Sequence, residues 1–492
     1  MRKGLRILLF SLIVLLIITS HLALLVINPL FPIVSRAILA QKNTVRLILK
    51  NEKASEDIGY IKKFIAISQK QTFHSAKLAN KVSVIFPKSS VVELANILES
   101  MSTHLPLLLG DGKDANFVLL FLNNYELRPG GGFIGSLGFI TFQNYTMTKF
   151  EVQDVYEIDG QIVTHSEPHY AVRKYLNQPN EFLRDSNFSP DFRINAKKTI
   201  GYLSSVPAYN KSYAAVIAIT TTGFEDLLLL TGPIELTDHR TTITSSNFFT
   251  TTQRKIETEF FPGSKLKRSI LQSLGNVMRQ RIEEIPPLGI FNYLFKAAKT
   301  KNLVFFTSNP QLQNLFAMLN ATGSNAPAYK NWIMPVDANV GVNKMDALIR
   351  KTMDIQLSHS SGALVHTFKS TYTNTITADA TEKEIYKNYF QLYVPAEAVL
   401  RKAVLNGLDV GSEIIITKEN GSTIFALYFE TPPANSTTVS MTYDIPYNSK
   451  MKRLHFLKQI GSKPSPLTVI YRGEITKVKQ QLFDSDEVFN LY

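Results

Sequence analysis

The 492-residue chain has no cysteine and a single tryptophan, Trp332. Without cysteine there can be no disulfide, no thiolate metal site and no cysteine nucleophile. Acidic residues are also scarce, with 40 Asp and Glu against 53 Lys and Arg, a formal net charge of +13. A surplus of that sign points to an anionic partner. No zinc-finger spacing, RNP-like aromatic box or basic helix directs it to nucleic acid, so none is expected. The Gly-x-Ser-x-Gly elbow of a serine hydrolase and the Gly-x-x-x-x-Gly-Lys-Ser/Thr phosphate loop do not occur either. His165 and His169 are four apart, but Pro168 breaks the helical face they would need to share a zinc ion. What remains is a globular composition, 45% hydrophobic and 19% charged, long enough for two or three domains.

The composition changes along the chain. Arg2, Lys3 and Arg6 precede a mostly apolar stretch from Ile7 to about Val26, close to the length a membrane-spanning helix requires. Residues 1–30 are therefore expected to be a transmembrane signal anchor, a single pass through the cell membrane with the bulk of the chain extracytoplasmic. A cleaved signal is the alternative. Residues 31–112 show three- and four-residue apolar spacing, clearest at 55–66 and 91–109, and read as a membrane-proximal helical spacer. From 113 to 350 strands and helices alternate, which predicts a layered α/β domain. Strands are expected over 116–122, 132–142 and 213–219, and helices over 195–203, 223–230 and 265–285. Short β-branched and aromatic runs separated by Gly, Asn, Pro and Ser fill 351–480 and predict an antiparallel β-sandwich. Residues 481–492 read as a tail.

Candidate functional residues cluster in four places. In Phe117–Phe142 two strand-like runs flank Asn123, Asn124, Glu126, Arg128 and the glycines 130–132. Such a segment can present polar groups at a sheet edge, and Gly131 and Gly132 would let backbone approach a ligand. Arg128 is a rigid cationic fork suited to phosphate or carboxylate, although a plain hairpin turn accounts for the same residues. In Phe182–Gly201, Arg184 and Arg193 could clamp phosphate, while Asp185 and Asp191 could hold a divalent cation such as Mg2+. Asp154 and Asp159 could join a metal site or form turns. Lys265, Lys267 and Arg268 open a predicted helix, where cations oppose the helix dipole and hint at an anion. Asn343 and Lys344, in the polar segment 337–346 at the predicted domain junction, could line a site or cap a turn.

Four blocks together carry a resemblance: NNYELRPGGGFIGSLGFITF, LRDSNFSPDF, LTGPIEL and ANVGVNKMD. In this order, over about residues 110–350, they resemble the signature of the bacterial domain-of-unknown-function family 4012, whose members are typically membrane-anchored. A second similarity is to LytR-CpsA-Psr proteins, through Arg184-Asp185, Ile194-Asn195-Ala196, Tyr213–Ile217 and Gly223–Ile234. That family moves glycopolymers from polyprenyl-pyrophosphate carriers onto peptidoglycan. The similarity implies arginines that grip pyrophosphate and aspartates that hold magnesium. Carried to this chain, Arg128, Arg184 and Arg268 would neutralise the pyrophosphate, and Asp154, Asp185 and Asp191 would position Mg2+. Two functions are consistent with the sequence: an envelope protein that binds or transfers a lipid-linked glycopolymer, and a non-catalytic envelope scaffold whose β-sandwich supplies the partner surface.

Overall fold

The computed structural model describes residues 90–251, 265–324, 329–377, 384–447, 451–473 and 475–491, with a few isolated positions between 62 and 77. The expected anchor (1–30) and nearly all of 31–89 lie outside the described residues. Among the described residues no helix is long and apolar enough to cross a membrane.

The first unit is built on a sheet of β1 (Ala115–Asn123), β2 (Phe133–Gln143), β3 (Thr146–Asp154), β4 (Ala215–Thr220) and β7 (Leu303–Phe306), with the ribbon β5 (Ile234–Leu236) and β6 (Thr241–Ile243) set apart. The order is β3-β2-β1-β4-β7. Only β1 and β4 run parallel; the other pairs are antiparallel. Helix α1 (Ser90–Leu108) precedes the sheet. Helices α2 (Val155–Asp159), α3 (Tyr170–Tyr175) and α4 (Phe192–Ser204) fill the crossover from β3 to β4. Helices α5 (Thr221–Thr231), α6 (Lys265–Glu284) and α7 (Pro287–Lys299) separate β4 from β7, and α8 (Pro310–Met318) follows.

The period-two side-chain alternation of β1 assigns its faces. Val118, Leu120 and Leu122 pack with Leu183, Phe192, Ala196 and Leu203 on the α4 side. Leu119 and Phe121 point the other way, with Ile219 of β4, onto Phe224 and Ala297 of the α5–α7 layer. The sheet is thus covered on both faces, as an α/β unit requires. On α6, Ile270, Leu274 and Met278 recur every four residues and bury against Leu228, Ile234, Leu236 and Ile243.

The second unit has two sheets packed on one core. Its strands are β8 (Trp332–Val336), β9 (Ile349–Ser360), β10 (Ala363–Asn374), β11 (Tyr386–Pro395), β12 (Val399–Leu405), β13 (Leu408–Asp409), β14 (Ile415–Glu419), β15 (Ser422–Thr431), β16 (Ser436–Pro446), β17 (Arg453–Phe456), β18 (Ser465–Arg472), β19 (Thr476–Phe483) and β20 (Glu487–Asn490). Seven lie in the order β13-β12-β16-β10-β9-β18-β19 and six in the order β14-β15-β11-β8-β17-β20. Phe368, Tyr372, Met441 and Tyr443 of one sheet meet Phe390, Leu392, Phe425 and Phe456 of the other in a dry interior.

Three features differ from the sequence expectation. The pairs β9–β18 and β8–β17 are parallel, so the second unit is not purely antiparallel. Long excursions return the chain to the sheets in the same sense. Trp332–Val336, placed by the sequence before the expected sandwich, is hydrogen-bonded inside the six-stranded sheet. Its residues are all buried, which is why they read as an apolar run without alternation. The expected tail contains β20, held by β17, with Phe489 and Leu491 buried.

Candidate functional site

The loop from Asn123 to Gly132 joins β1 to β2 and is fastened on every side. Phe133 N–H donates to the Glu126 carbonyl (3.0 Å), closing the loop on itself. Gly130 N–H donates to the Asn187 carbonyl (2.9 Å). Asn339 N–H donates to the Leu127 carbonyl (2.8 Å), and Leu127 N–H donates to Asp346 Oδ2 (3.0 Å). Gln459 Nε2 reaches the carbonyls of both Arg128 (3.0 Å) and Asp337 (2.7 Å). The loop is therefore the knot at which the α/β unit, segment 337–346 and segment 459–461 meet.

Arg128 lies within this knot and is 2% exposed. Its Nη2 donates to Glu126 Oε1 (2.9 Å) and its Nη1 to the Asn339 carbonyl oxygen. Burial pushes the Glu126 carboxyl up, against the pull of Arg128 and Lys344. Arg184 pairs with Asp159 Oδ2 at 2.9 Å, stands 3.7 Å from Asp185 Oδ2, and lies over the rings of Phe182 and Tyr156. Burial also raises the Asp185 carboxyl, opposed by Arg128 and Arg184. Glu126, Arg128, Arg184, Asp185 and Lys344 thus form one electrostatic neighbourhood. Within it each arginine already has a carboxylate partner.

Most other sequence candidates have local structural tasks. Asp154 caps α2 by accepting from Tyr156 N–H (2.9 Å). Asp191 caps α4 by accepting from Arg193 N–H (3.0 Å) and pairs with the Arg193 guanidinium at 3.2 Å. Asn123 Oδ1 accepts from Tyr125 N–H (3.2 Å). Asn124 ties Thr222 to the Gly461 carbonyl. Asn343 Nδ2 donates to the Ile385 carbonyl (2.9 Å). Arg268 reaches Glu157 (3.0 Å), apart from the Arg128 knot. Lys267 falls on α6, and its side chain lies outside the described residues.

The glycines approach the protein itself. Gly131 (φ 112°) packs on Ile460, and Gly132 (φ 137°) on the backbone of Asn123 and Asn124; neither lines a cavity described here.

Magnesium does not fit the residues present. Among the described residues no three histidine or acidic side chains group as a metal-holding set. Asp154 and Asp191 are engaged in caps. Of the three aspartates expected to hold it, Asp185 keeps a buried carboxylate oxygen without a hydrogen-bond partner, and the Arg184 guanidinium stands 3.7 Å from that oxygen.

The sequence did not reveal the apolar concavity beside this loop. A cavity of about 360 Å3 lies between the sheet and the α5–α6 layer. Its walls are apolar, with Phe121, Leu122, Phe224, Phe248, Ile270 and Leu271 prominent, and Glu126, Ser136 and Lys344 are the polar groups that matter on its lining. Of the sequence candidates, it is bordered by Asn123, Glu126 and Lys344. The signal available in the sequence was the density of aromatic residues (Phe121, Phe133, Phe224, Phe248, Phe249), which reads equally well as ordinary core.

Comparison with known proteins gives limited returns. Residues 112–256 match the model of a family described as "Protein of unknown function (DUF4012)". No curated protein matches. Among solved structures, a candidate nutrient-binding protein of Legionella pneumophila is 12% identical, over 25% of this chain and 50% of that one, with a TM-score of 0.19. Leukotriene A4 hydrolase of Saccharomyces cerevisiae is 8% identical, over 28% of this chain and 27% of the enzyme, with a TM-score of 0.19. An M1 zinc metallopeptidase of Deinococcus radiodurans is 9% identical over 27% and 38%, with a TM-score of 0.17. The chain spans half or less of each of these proteins, and such scores carry no inference about activity.

Proposed function

We propose that this is a membrane-anchored envelope protein whose α/β unit binds the lipid portion of a pyrophosphate-linked glycan carrier, in the manner of a LytR-CpsA-Psr-like fold. The supporting observation is the 360 Å3 cavity, whose apolar walls suit a hydrocarbon chain and which borders Lys344 and Glu126. Removing hydrocarbon from water contributes roughly 0.8 kcal/mol per CH2. An apolar site with a few convergent polar groups is the usual form of a small-molecule site. Ile7–Val26, read as an anchor, would keep that site close to a membrane-borne carrier.

Binding is favoured over transfer by the state of the arginines. A pyrophosphate transferase needs cations aimed at the developing charge. Here Arg128 and Arg184 are paired with Glu126 and Asp159, and among the described residues no group of three histidine or acidic side chains that could hold a metal accompanies them.

The test is binding of polyprenyl phosphate and polyprenyl pyrophosphate to the full chain in detergent, read by native mass spectrometry. Leu271→Trp, which fills the cavity, is expected to weaken binding at least tenfold while shifting the melting temperature only slightly. Failure of both lipids to bind, or equal binding by the variant, overturns the proposal.

A further inference from the structure

A second cavity, of about 490 Å3, lies where the two units meet. It shares a wall with the first: Asn123 and Glu126 line the apolar cavity, and Asn124 and Leu127 line this one. The remaining lining comes largely from the start of β9 (Arg350, Lys351, Thr352), from segment 459–466, and from Asp337, Asp346, Tyr372 and Tyr386.

The charged donors not fully used in this cavity are cationic. Each of its two carboxylates is engaged by three donors from within the protein. Asp337 accepts from Lys351 Nζ (2.6 Å), Tyr372 OH (2.7 Å) and Asn388 Nδ2 (2.8 Å). Asp346 accepts from Leu127 N–H (3.0 Å), Asn339 Nδ2 (2.8 Å) and Tyr386 OH (3.1 Å). Lys351 is matched by Asp337. Lys463, half-buried, donates among the described residues to one oxygen, the Ala347 carbonyl (2.8 Å), stands 5.0 Å from the Tyr125 ring centre, and feels the Asp346 and Glu225 carboxylates without bonding to either. An ammonium has three donors, so two remain. Arg350 is exposed, and among the described residues its side chain makes no hydrogen bond or ion pair.

We propose that this cavity binds a small polar molecule carrying one oxyanion group, phosphate or carboxylate, with Lys463 and Arg350 as its charge partners. The volume is that of a site for a monosaccharide-sized to drug-sized ligand, and a guanidinium with all donors available suits either oxyanion bidentately. The assignment stands whether or not the apolar cavity takes a lipid.

The experiment is calorimetric titration of the full chain in detergent with glucose 1-phosphate, glucuronate and glucose. At least one anionic sugar is expected to bind saturably and at least tenfold more tightly than glucose. The stronger of the two anions assigns the oxyanion. Arg350→Gln, at an exposed position, is expected to weaken that binding about threefold, and Lys463→Met combined with Arg350→Gln at least tenfold. Leu271→Trp is expected to leave it unchanged, which separates this site from the lipid site. The proposal is overturned if neither anion binds, if glucose binds as tightly as the anions, or if Arg350→Gln binds as the parent does.

Discussion

Arg128 shows how a guanidinium chosen for its phosphate chemistry comes to serve the fold instead. Removed from water, a cation must be paired and hydrogen-bonded, and Glu126 with the Asn339 carbonyl fulfils both needs. Arg128→Met leaves a buried carboxylate without its partner and is expected to lower stability by about 3–5 kcal/mol. Combining it with Glu126→Leu should restore part of that loss, because removing both charges lifts the desolvation penalty. Urea denaturation of the three variants checks this, and an unchanged Arg128→Met midpoint would show that the pair contributes nothing to folding. A second residue sets the acid limit. His366 is fully buried, with Nε2 2.9 Å from Asn331 Oδ1 and its ring stacked on Tyr443. Burial pushes its pKa down from 6.5 to about 3. The unfolded chain therefore binds a proton that the folded one refuses, and stability falls as pH drops from about 6.5 towards 3. His366→Phe should flatten that part of the pH–stability curve, by a few kcal/mol in order of magnitude, when melting is followed from pH 7 to pH 4. None of this was legible in the sequence: Glu126 and Arg128 are near neighbours, but their burial and the contacts to 339, and that between 331 and 366, depend on segments far apart in the chain.

Elements were more legible than residues. Helix α4 was expected over 195–203 and runs from Phe192 to Ser204; α5 was expected over 223–230 and runs from Thr221 to Thr231. Strands β1 and β2 fall within a residue of expectation because their apolar runs are bounded by Asn and Gly. Strands β9, β17, β19 and β20 were less visible, since exposed faces and short lengths dilute their pattern, whereas β18 (Ser465–Arg472) contains the run 467–471 that reads as a strand. The glycine turn between β1 and β2 is where a conformation rather than a side chain matters. Gly131 has φ 112° and packs on Ile460, whereas Gly112 has φ 75° and open space around it. Gly131→Ala therefore combines backbone strain with a collision, at a cost of about 2–4 kcal/mol, against about 1 kcal/mol for Gly112→Ala. Paired thermal melts measure the difference, and equal losses would mean that Ile460 simply moves aside. Asp154→Ala and Asp191→Ala each remove a helix cap, with an expected loss of about 1 kcal/mol.

Across the whole molecule the two units are bound by more than adjacency. Ile460, from the far end of the chain, belongs to the core of the α/β unit with Val118 and Phe192. Lys458, fully buried, donates to the Thr300 and Ser462 carbonyls, and Lys301 Nζ donates back to the Lys458 carbonyl. A chain ending at residue 331 loses Ile460, Gln459 and Lys458 together. It is expected to give a broad, weakly cooperative melt, where the longer chain gives coupled loss of both units. Hydrogen exchange at β1 would report this directly, and native-like protection of β1 in the shortened chain would refute the coupling. The alternation of strands and helices, followed by strands alone, foretold two kinds of unit. It could not foretell that residues 457–463 close the first of them, because the link spans more than three hundred positions.

That late return has a consequence for biosynthesis. The ribosome releases Gln459 and Ile460 more than three hundred residues after Arg128, so the turn at 123–132 must wait, unsecured, while everything between is translated. During that interval the surfaces that Gln459 and Ile460 later cover are open to water and to other nascent chains, and a holding chaperone would find its target then.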